Sequence, residues 1–200
     1  MLIETIRVTD GRYCNAPLHL QRMERSVREL FGCSSPLTEL PPVPARYYSA
    51  GEVKCRILYG KEIERLEFDI YRPRNVKTLR LVEGGDIDYH LKYANRSRLD
   101  ALWALRGDCD DIVILRDGIV TDTSYSNLLF LSDKGIFTPS LPLLCGTMRQ
   151  SLIDSGAVKT LTITGEELLS GAYDIHSVLM INAMLPPGAV PAIPVEAIYF

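Results

Sequence analysis

The stretch GIVTDTSYSNLLF, residues 118–130, contains the pattern that decides the fold of this chain. Asp117-Gly118 forms a two-residue turn signal between two apolar runs, which predicts a β-hairpin. A further apolar run at 128–131 predicts the next strand. Between the strands, residues 121–127 place a carboxylate, several hydroxyl groups and an amide in one short turn. Such a turn either satisfies its own backbone donors or lines a polar binding site, and this stretch alone leaves both interpretations open.

Outward from this hairpin, short strands alternate with a few amphipathic helices. Strands are predicted at 2–9, 52–59, 62–71, 77–82, 112–115, 119–121, 128–131, 159–164 and 178–181, and helices from an Asn15 cap to Gly32 and at 95–106, 147–155 and 166–170. The pattern of predicted strands and helices changes across residues 73–90. We therefore expect an α+β protein with a small α+β lobe at 1–80 and a larger lobe at 81–200.

Composition excludes several classes of function. The chain has 200 residues, is 46% hydrophobic and carries a net charge of −3, so no basic field indicates nucleic-acid binding. No run of roughly 18 apolar residues predicts a membrane span, and no charged and apolar leader opens the sequence. Five scattered cysteines without CxxC are typical of reduced thiols in a cytoplasmic protein. Three distant histidines without HExxH argue against a metal site.

Lys92, in YHLKYANR at 89–96, is the first candidate for chemistry. Lysine is rarely buried without a partner, yet Tyr89, Leu91 and Tyr93 surround it with apolar and aromatic groups. Such a setting disfavours the charged ammonium form, which is what a Schiff-base amine needs. The alternative is an ordinary surface lysine on a strand.

Two further features indicate an anion site. Gly146-Thr147 opens a helix, and free N–H groups at a helix N-terminus bind phosphate. Arg22, in HLQRMERS at 19–26, offers paired N–H donors to the same kind of group. Each feature has an ordinary alternative, because many helices follow a glycine and most arginines on amphipathic helices are solvated.

Taken in order, these pieces resemble the fold-type IV pyridoxal-phosphate enzymes, the class IV aminotransferase family. That family includes branched-chain aminotransferases, D-amino-acid aminotransferases and aminodeoxychorismate lyases. The matching pieces are IETIRVTDG at 3–11, HLQRMERS at 19–26, LKYANR at 91–96, GIVTDTSYSNLLF at 118–130, TP…LLCGTMRQ at 138–150 and INAMLP at 181–186. The resemblance implies a two-lobed α+β fold of the D-amino-acid aminotransferase type. It also implies a fold shortened at the N-terminus, since the chain begins almost at the first motif.

The resemblance also implies a role for individual residues, with pyridoxal 5'-phosphate as cofactor. Lys92 takes the position of the lysine that binds the cofactor and moves the proton, and Asp122 that of the carboxylate beside the pyridine nitrogen. Asp122 replaces the usual glutamate and reaches about 1.5 Å less far. The remaining positions implied to bind the cofactor are Arg22 and the backbone of Thr147 and Met148 at the phosphate, Leu144 on the ring, Ser126 and Asn127 in the turn, and Asn182 in a loop over the phosphate.

Two details favour the lyase within this family. NAMLP resembles the NALMP-type stretch of aminodeoxychorismate lyases, and Thr5 stands where the aminotransferases carry glycine. In the lyases a threonine there is a candidate acid for the departing enolpyruvyl oxygen. The Asn95-Arg96 pair is also lyase-like. The expected reaction on this small-molecule substrate yields pyruvate and 4-aminobenzoate, a folate precursor.

The alternatives are an amino-acid aminotransferase of the branched-chain or D-amino-acid type, and a relative that binds the cofactor without turnover. Arg7, Arg96 and Tyr93 are unranked candidates for contacts with substrate carboxylates. By resemblance, we expect a homodimer.

Overall fold

The computed structural model describes residues Met1–Phe200 and confirms the mixed α+β class. Its strands are β1 (Leu2–Thr9), β2 (Arg12–Tyr13), β3 (Val53–Tyr59), β4 (Ile63–Ile70), β5 (Leu79–Glu83), β6 (Asp111–Arg116), β7 (Ile119–Thr123), β8 (Asn127–Ser132), β9 (Gly135–Pro139), β10 (Lys159–Leu161), β11 (Ile175–Ile181), β12 (Ile193–Pro194) and β13 (Ile198–Tyr199). Its helices are α1 (Ala16–Phe31), α2 (Ser97–Trp103), α3 (Thr147–Asp154) and α4 (Gly165–Leu169). None of these helices combines the length and apolar character needed to cross a membrane.

The chain divides into two compact units. The first comprises Met1–Pro73 and Leu91–Asn95, and the second comprises Arg74–His90 and Arg96–Phe200. This division corrects the expected boundary at residue 80 and assigns Lys92 to the first unit. The reason is backbone pairing, because β5 pairs along its length with β6 while the Lys92 carbonyl accepts a hydrogen bond of 2.9 Å from the Ile3 N–H.

In the first unit, α1 and a four-stranded antiparallel sheet of order β2-β1-β3-β4 bury a shared core. Successive side chains of a strand point to opposite faces, and Leu2, Ile6 and Val8 of β1 are fully buried together with Met23 and Val27 of α1. The predicted Gly32 closes α1 with a positive φ of 70°. Asn15 occupies the predicted N-cap position of α1, but its side chain makes no capping hydrogen bond.

The second unit contains two sheets, with strand orders β10-β9-β8-β11-β12 and β13-β5-β6-β7. Their buried side chains form one large apolar core that includes Phe130 and Val113. The chain passes from one sheet to the other between β7 and β8, so the turn predicted at 121–127 lies at the junction of the sheets. Helix α3 begins directly after Gly146 in the same unit. This arrangement fixes the positions of most of the predicted site residues.

Candidate active site

The turn between β7 and β8 is organised by Thr123. Its N–H and its hydroxyl donate to the Ser126 carbonyl at 2.8 and 3.2 Å, and the Ser126 N–H donates to the Thr123 hydroxyl at 3.0 Å. Thr123 therefore closes the turn through its hydrogen bonds with Ser126. The side chains of Asp122, Ser126 and Asn127 are left for other partners, and all three are buried.

Asp122 lies at the centre of a buried hydrogen-bond network. The Asn127 amide donates to Asp122 Oδ1 at 2.8 Å and to the Leu144 carbonyl at 2.9 Å. The Leu144 N–H donates to Asp122 Oδ2 at 2.9 Å. The predicted Asp122 and Asn127 of one turn are thus brought together with Leu144, which is 22 residues from Asp122 in the sequence. The Leu144 main chain is fixed on both sides, while its side chain is partly exposed.

The environment of Asp122 opposes its ionisation. Burial raises the pKa of Asp122 to about 6, although the Leu144 N–H, the Asn127 amide and the charge of Arg149 act in the opposite direction. A buried carboxylate of this kind gains strongly from a cationic partner. The site therefore fits a protonated pyridine nitrogen as that partner.

The raised pKa predicts that the free energy of unfolding of the cofactor-free protein depends on pH. A carboxyl group whose pKa is higher in the folded than in the unfolded state stabilises the fold fully below the unfolded pKa, 3.8, and loses this contribution as pH rises through about 6. A difference of one pKa unit corresponds to roughly 1.4 kcal/mol. The rise of the Asp122 pKa from 3.8 to about 6 should therefore lower the free energy of unfolding by about 3 kcal/mol between pH 4 and pH 8. Urea unfolding at several pH values will measure this slope. Asp122→Asn should flatten it, and an equal slope in both proteins would contradict the prediction.

Gly146 lies in close contact with this network at the start of α3. Its backbone is extended, and no side chain caps the helix. A Cβ at this position would lie 2.0 Å from Asn127 Oδ1, so only glycine fits. The first turn of α3 contains the predicted Thr147 and Met148, both buried. Its N–H groups are the donors that a phosphate requires.

Replacement of Gly146 by alanine is therefore expected to displace the Asn127 side chain and break its bonds to Asp122 and Leu144. We expect Gly146→Ala to lower the free energy of unfolding by about 1–3 kcal/mol and to weaken cofactor binding at least about tenfold, the equivalent of roughly 1.4 kcal/mol. Gly60→Ala is the matched control, because its added methyl would make ordinary contact, 3.6 Å from Phe31. Urea unfolding and cofactor titration will measure both effects. Equal behaviour of the two variants would refute the assigned role of Gly146.

Asn182 joins the same turn from the segment after β11. Its amide donates to the Ser126 hydroxyl at 2.9 Å and reaches the Tyr125 carbonyl at 3.4 Å. Its own oxygen accepts from the Met184 N–H at 2.8 Å. The structure thus places two more predicted residues, Ser126 and Asn182, in direct contact. Cofactor contacts of these residues stay a prediction.

Arg149 was not predicted as a site residue, although it lies in the matching piece TP…LLCGTMRQ at 138–150. Its side chain is buried, its Nη2 donates to the Pro139 carbonyl at 2.7 Å, and its Nε has no hydrogen-bond partner. Burial lowers the pKa of Arg149, and Asp122 is among the groups that oppose this. A buried arginine close enough to influence Asp122 belongs to the site. Helix periodicity did not indicate that this charged side chain is buried.

In the first unit, Arg22 is not a solvated arginine. It is buried on α1, and its Nε donates to Glu4 Oε2 at 3.1 Å while its Nη2 binds Glu4 Oε1. His19 Nδ1 also donates to Glu4, at 2.8 Å. Burial opposes ionisation of Glu4, but Arg22 and His19 outweigh it and hold the pKa of Glu4 well below its usual range. Contact of Arg22 with phosphate stays a prediction; the structure shows what orients its guanidinium.

Glu4 and His19 were missed, although one signal was present. In LIETIRV the alternate positions Leu2, Glu4 and Ile6 share a face, so a carboxylate stands in an otherwise apolar row.

Thr5 lies on the opposite face of β1. Lys92 is partly buried and lies in no strand, and its main chain is bonded to the start of β1. The catalytic roles of Lys92 and Thr5 stay predictions.

The three candidates for substrate-carboxylate contacts have protein partners. Arg7 Nη1 lies 3.3 Å from Glu52 Oε1. Arg96 Nη2 donates to the Ser124 carbonyl at 2.7 Å. Tyr93 pairs through its main chain with Leu2. The structure contains no group of three or more His, Cys, Asp or Glu side chains able to bind a metal ion.

Comparison with known proteins identifies the family of this chain. The profile of the amino-transferase class IV family matches residues 77–195, which include the turn, Leu144, the start of α3 and Asn182. The chain belongs to this family. Class IV aminotransferases depend on pyridoxal phosphate, so the chain is a pyridoxal-phosphate-dependent enzyme with the fold-type IV architecture.

Relatives cover nearly the whole chain. An uncharacterized protein of Haemophilus influenzae is 36% identical over 191 residues, which are 92% of this chain and 97% of the relative. A crystal structure from Haemophilus somnus, provisionally assigned as a 4-amino-4-deoxychorismate lyase, is 31% identical with a TM-score of 0.78 and covers 92% of this chain and 96% of its own. A hypothetical aminotransferase from Mycobacterium tuberculosis in its PLP-bound form is 18% identical, with a TM-score of 0.71 over 98% of this chain and 80% of its own, and shows the shared fold alone.

Proposed function

We propose that this class IV enzyme is an aminodeoxychorismate lyase, which converts 4-amino-4-deoxychorismate to 4-aminobenzoate and pyruvate. The observation that carries the proposal is the full-length similarity to the Haemophilus somnus structure with that provisional assignment. Thr5 and the NAMLP segment support it from the sequence. The fold is shared with aminotransferases and does not by itself separate the two reactions.

The residues of the second unit fit the cofactor. Asp122 would bind the ring nitrogen; at an effective dielectric constant of about 20, opposite charges ~4 Å apart attract by about 4 kcal/mol, less the cost of desolvation. The backbone of Thr147 and Met148 would bind the phosphate, and Leu144 would pack on the ring. Ser126, Asn127 and Asn182 would position these groups through the hydrogen bonds described above.

By resemblance to the family, Arg22 and Lys92 would also bind the cofactor. The guanidinium of Arg22, oriented by Glu4, would bind the phosphate. The Lys92 amine is the group that would hold the cofactor covalently. When bound, pyridoxal phosphate supplies the electron sink that this elimination needs.

The protein's own groups would then move protons. Lys92 Nζ would take the proton from the amine-bearing carbon of the substrate. The carbon–oxygen bond to the enolpyruvyl group would break, with Thr5 giving a proton to the departing oxygen. Enolpyruvate becomes pyruvate, and the remaining ring becomes aromatic 4-aminobenzoate. Atoms balance without water or an oxidant.

The test is to incubate the cofactor-loaded enzyme with 4-amino-4-deoxychorismate and to quantify both products. Equimolar release of 4-aminobenzoate and pyruvate supports the lyase. Conversion of the bound cofactor to its amine form by an amino acid, without release from aminodeoxychorismate, would refute the lyase and identify an aminotransferase. Cofactor binding without either reaction would identify a non-catalytic relative.

Thr5→Val tests the proposed acid, because valine keeps the shape of threonine and removes the hydroxyl. We expect kcat of the lyase reaction to fall about a hundredfold or more. Thr160→Val, at an exposed position of β10, is the control. An unchanged kcat in Thr5→Val would exclude Thr5 as the acid. The lyase assignment would then depend on the product assay alone.

By resemblance to the family, we also propose that the enzyme is a cytoplasmic homodimer acting in folate-precursor synthesis. Sedimentation of the cofactor-loaded enzyme at micromolar concentration will measure its mass. A mass near 22.4 kDa, that of one chain, would contradict the dimer.

A further inference from the structure

We infer that Arg96 is a positioning residue that fixes the cofactor-binding turn at 121–127 by binding the Ser124 carbonyl. This inference rests on the proposed role of that turn in cofactor binding. Arg96 lies outside the turn, directly before α2.

Arg96 binds the main chain of the turn. Its Nη2 donates to the Ser124 carbonyl at 2.7 Å, and its guanidinium lies 5.9 Å from the ring centre of Tyr89. Ser124 is only 4% exposed, so its carbonyl requires a partner inside the protein. A charged donor to a buried carbonyl is among the stronger hydrogen bonds in proteins.

The next residue of the turn is fixed as well. The Arg74 guanidinium lies 5.2 Å from the ring centre of Tyr125 and 5.8 Å from that of Trp103. On the main chain, the Tyr125 carbonyl lies within 3.4 Å of the Asn182 amide. Ser124 and Tyr125 are therefore anchored to surrounding elements, whereas the hydrogen bonds of Thr123 act only within the turn.

Removal of these anchors would leave the turn folded on Thr123 but free to shift. Asp122 lies two residues before Ser124, and Ser126 two residues after it. A small displacement would misplace both side chains relative to the cofactor, and loss of positioning by a fraction of an ångström weakens a preorganised site. The expected consequence is weaker and differently oriented cofactor binding rather than unfolding.

The experiment measures cofactor affinity in Arg96→Gln. We expect the dissociation constant for pyridoxal phosphate to rise at least about tenfold, the equivalent of roughly 1.4 kcal/mol, with an altered circular dichroism of the bound cofactor. Arg96→Lys, which keeps a donor, should restore most of the affinity.

Arg98→Gln, at an exposed position of α2, is the matched control. Thermal unfolding of the cofactor-free proteins separates positioning from stability. An unchanged cofactor spectrum and affinity in Arg96→Gln, with or without a lower midpoint, would overturn the inference. Wild-type protein that takes up no pyridoxal phosphate would refute the proposed function and the inference together. Cofactor effects in an enzyme without lyase activity would leave the inference intact.

Discussion

Lys92→Ala will lower kcat/KM for release of 4-aminobenzoate and pyruvate by at least about a thousandfold, because it removes both the covalent attachment and the proposed proton carrier. Borohydride reduction of the cofactor-loaded wild-type enzyme should leave a label on a Lys92 peptide. The variant should carry none, even though Arg22, Asp122 and the start of α3 are unchanged. Mass spectrometry of the reduced proteins measures attachment independently of activity.

Lys61→Ala is the matched control, since Lys61 is an exposed lysine of the first unit, between β3 and β4. It should retain both activity and label. Activity of Lys92→Ala within tenfold of this control would remove Lys92 from the mechanism. Absence of label from the wild-type enzyme itself would instead contradict covalent attachment at any lysine.

Much of the fold follows from local sequence patterns. Alternation predicted β1, and Gly32 marked the end of α1, because both depend on residues close in the chain. Strand β9 was missed because Gly135 and Ile136 are exposed and break any apolar alternation. The boundary at residue 80 was misplaced because the partner of β5 is β6, from which α2 separates it in the sequence. Such long-range pairing leaves no periodic signal.

The candidate site likewise contains residues that could be predicted from the sequence and contacts that could not. Asp122, Ser126 and Asn127 occur in one short turn, so the sequence alone showed that their polar side chains lie close together. The bond from the Leu144 N–H to Asp122 depends on the approach of a segment 22 residues away. Glu4 and Arg22 are separated by 18 residues and meet only when α1 packs on β1. The sequence therefore predicted the groups that are proposed to do the chemistry, but not the groups that orient them.

The pair of Glu4 and Arg22 leads to the largest expected effect on stability. Glu4→Gln removes the carboxylate but leaves the buried guanidinium of Arg22 without a counter-charge. Breaking a buried ion pair by removing one partner costs about 3–5 kcal/mol. Urea unfolding of the cofactor-free protein at pH 7 will measure the loss. Glu64→Gln, at an exposed position of β4, should change the free energy of unfolding by less than about 0.5 kcal/mol.

The pH dependence of this loss of stability tests whether the negative charge of Glu4 is its cause. Because the pKa of Glu4 is depressed in the folded protein, its contribution is present above the ordinary glutamate pKa of about 4.3 and is lost as pH falls further. The difference in stability between wild type and Glu4→Gln should therefore be constant from pH 6 to 8 and shrink below about pH 4. A difference that persists unchanged at pH 3 would mean that Glu4 acts through shape and hydrogen bonding alone. In that case the orientation of Arg22, and with it the proposed phosphate contact, would not depend on the carboxylate charge.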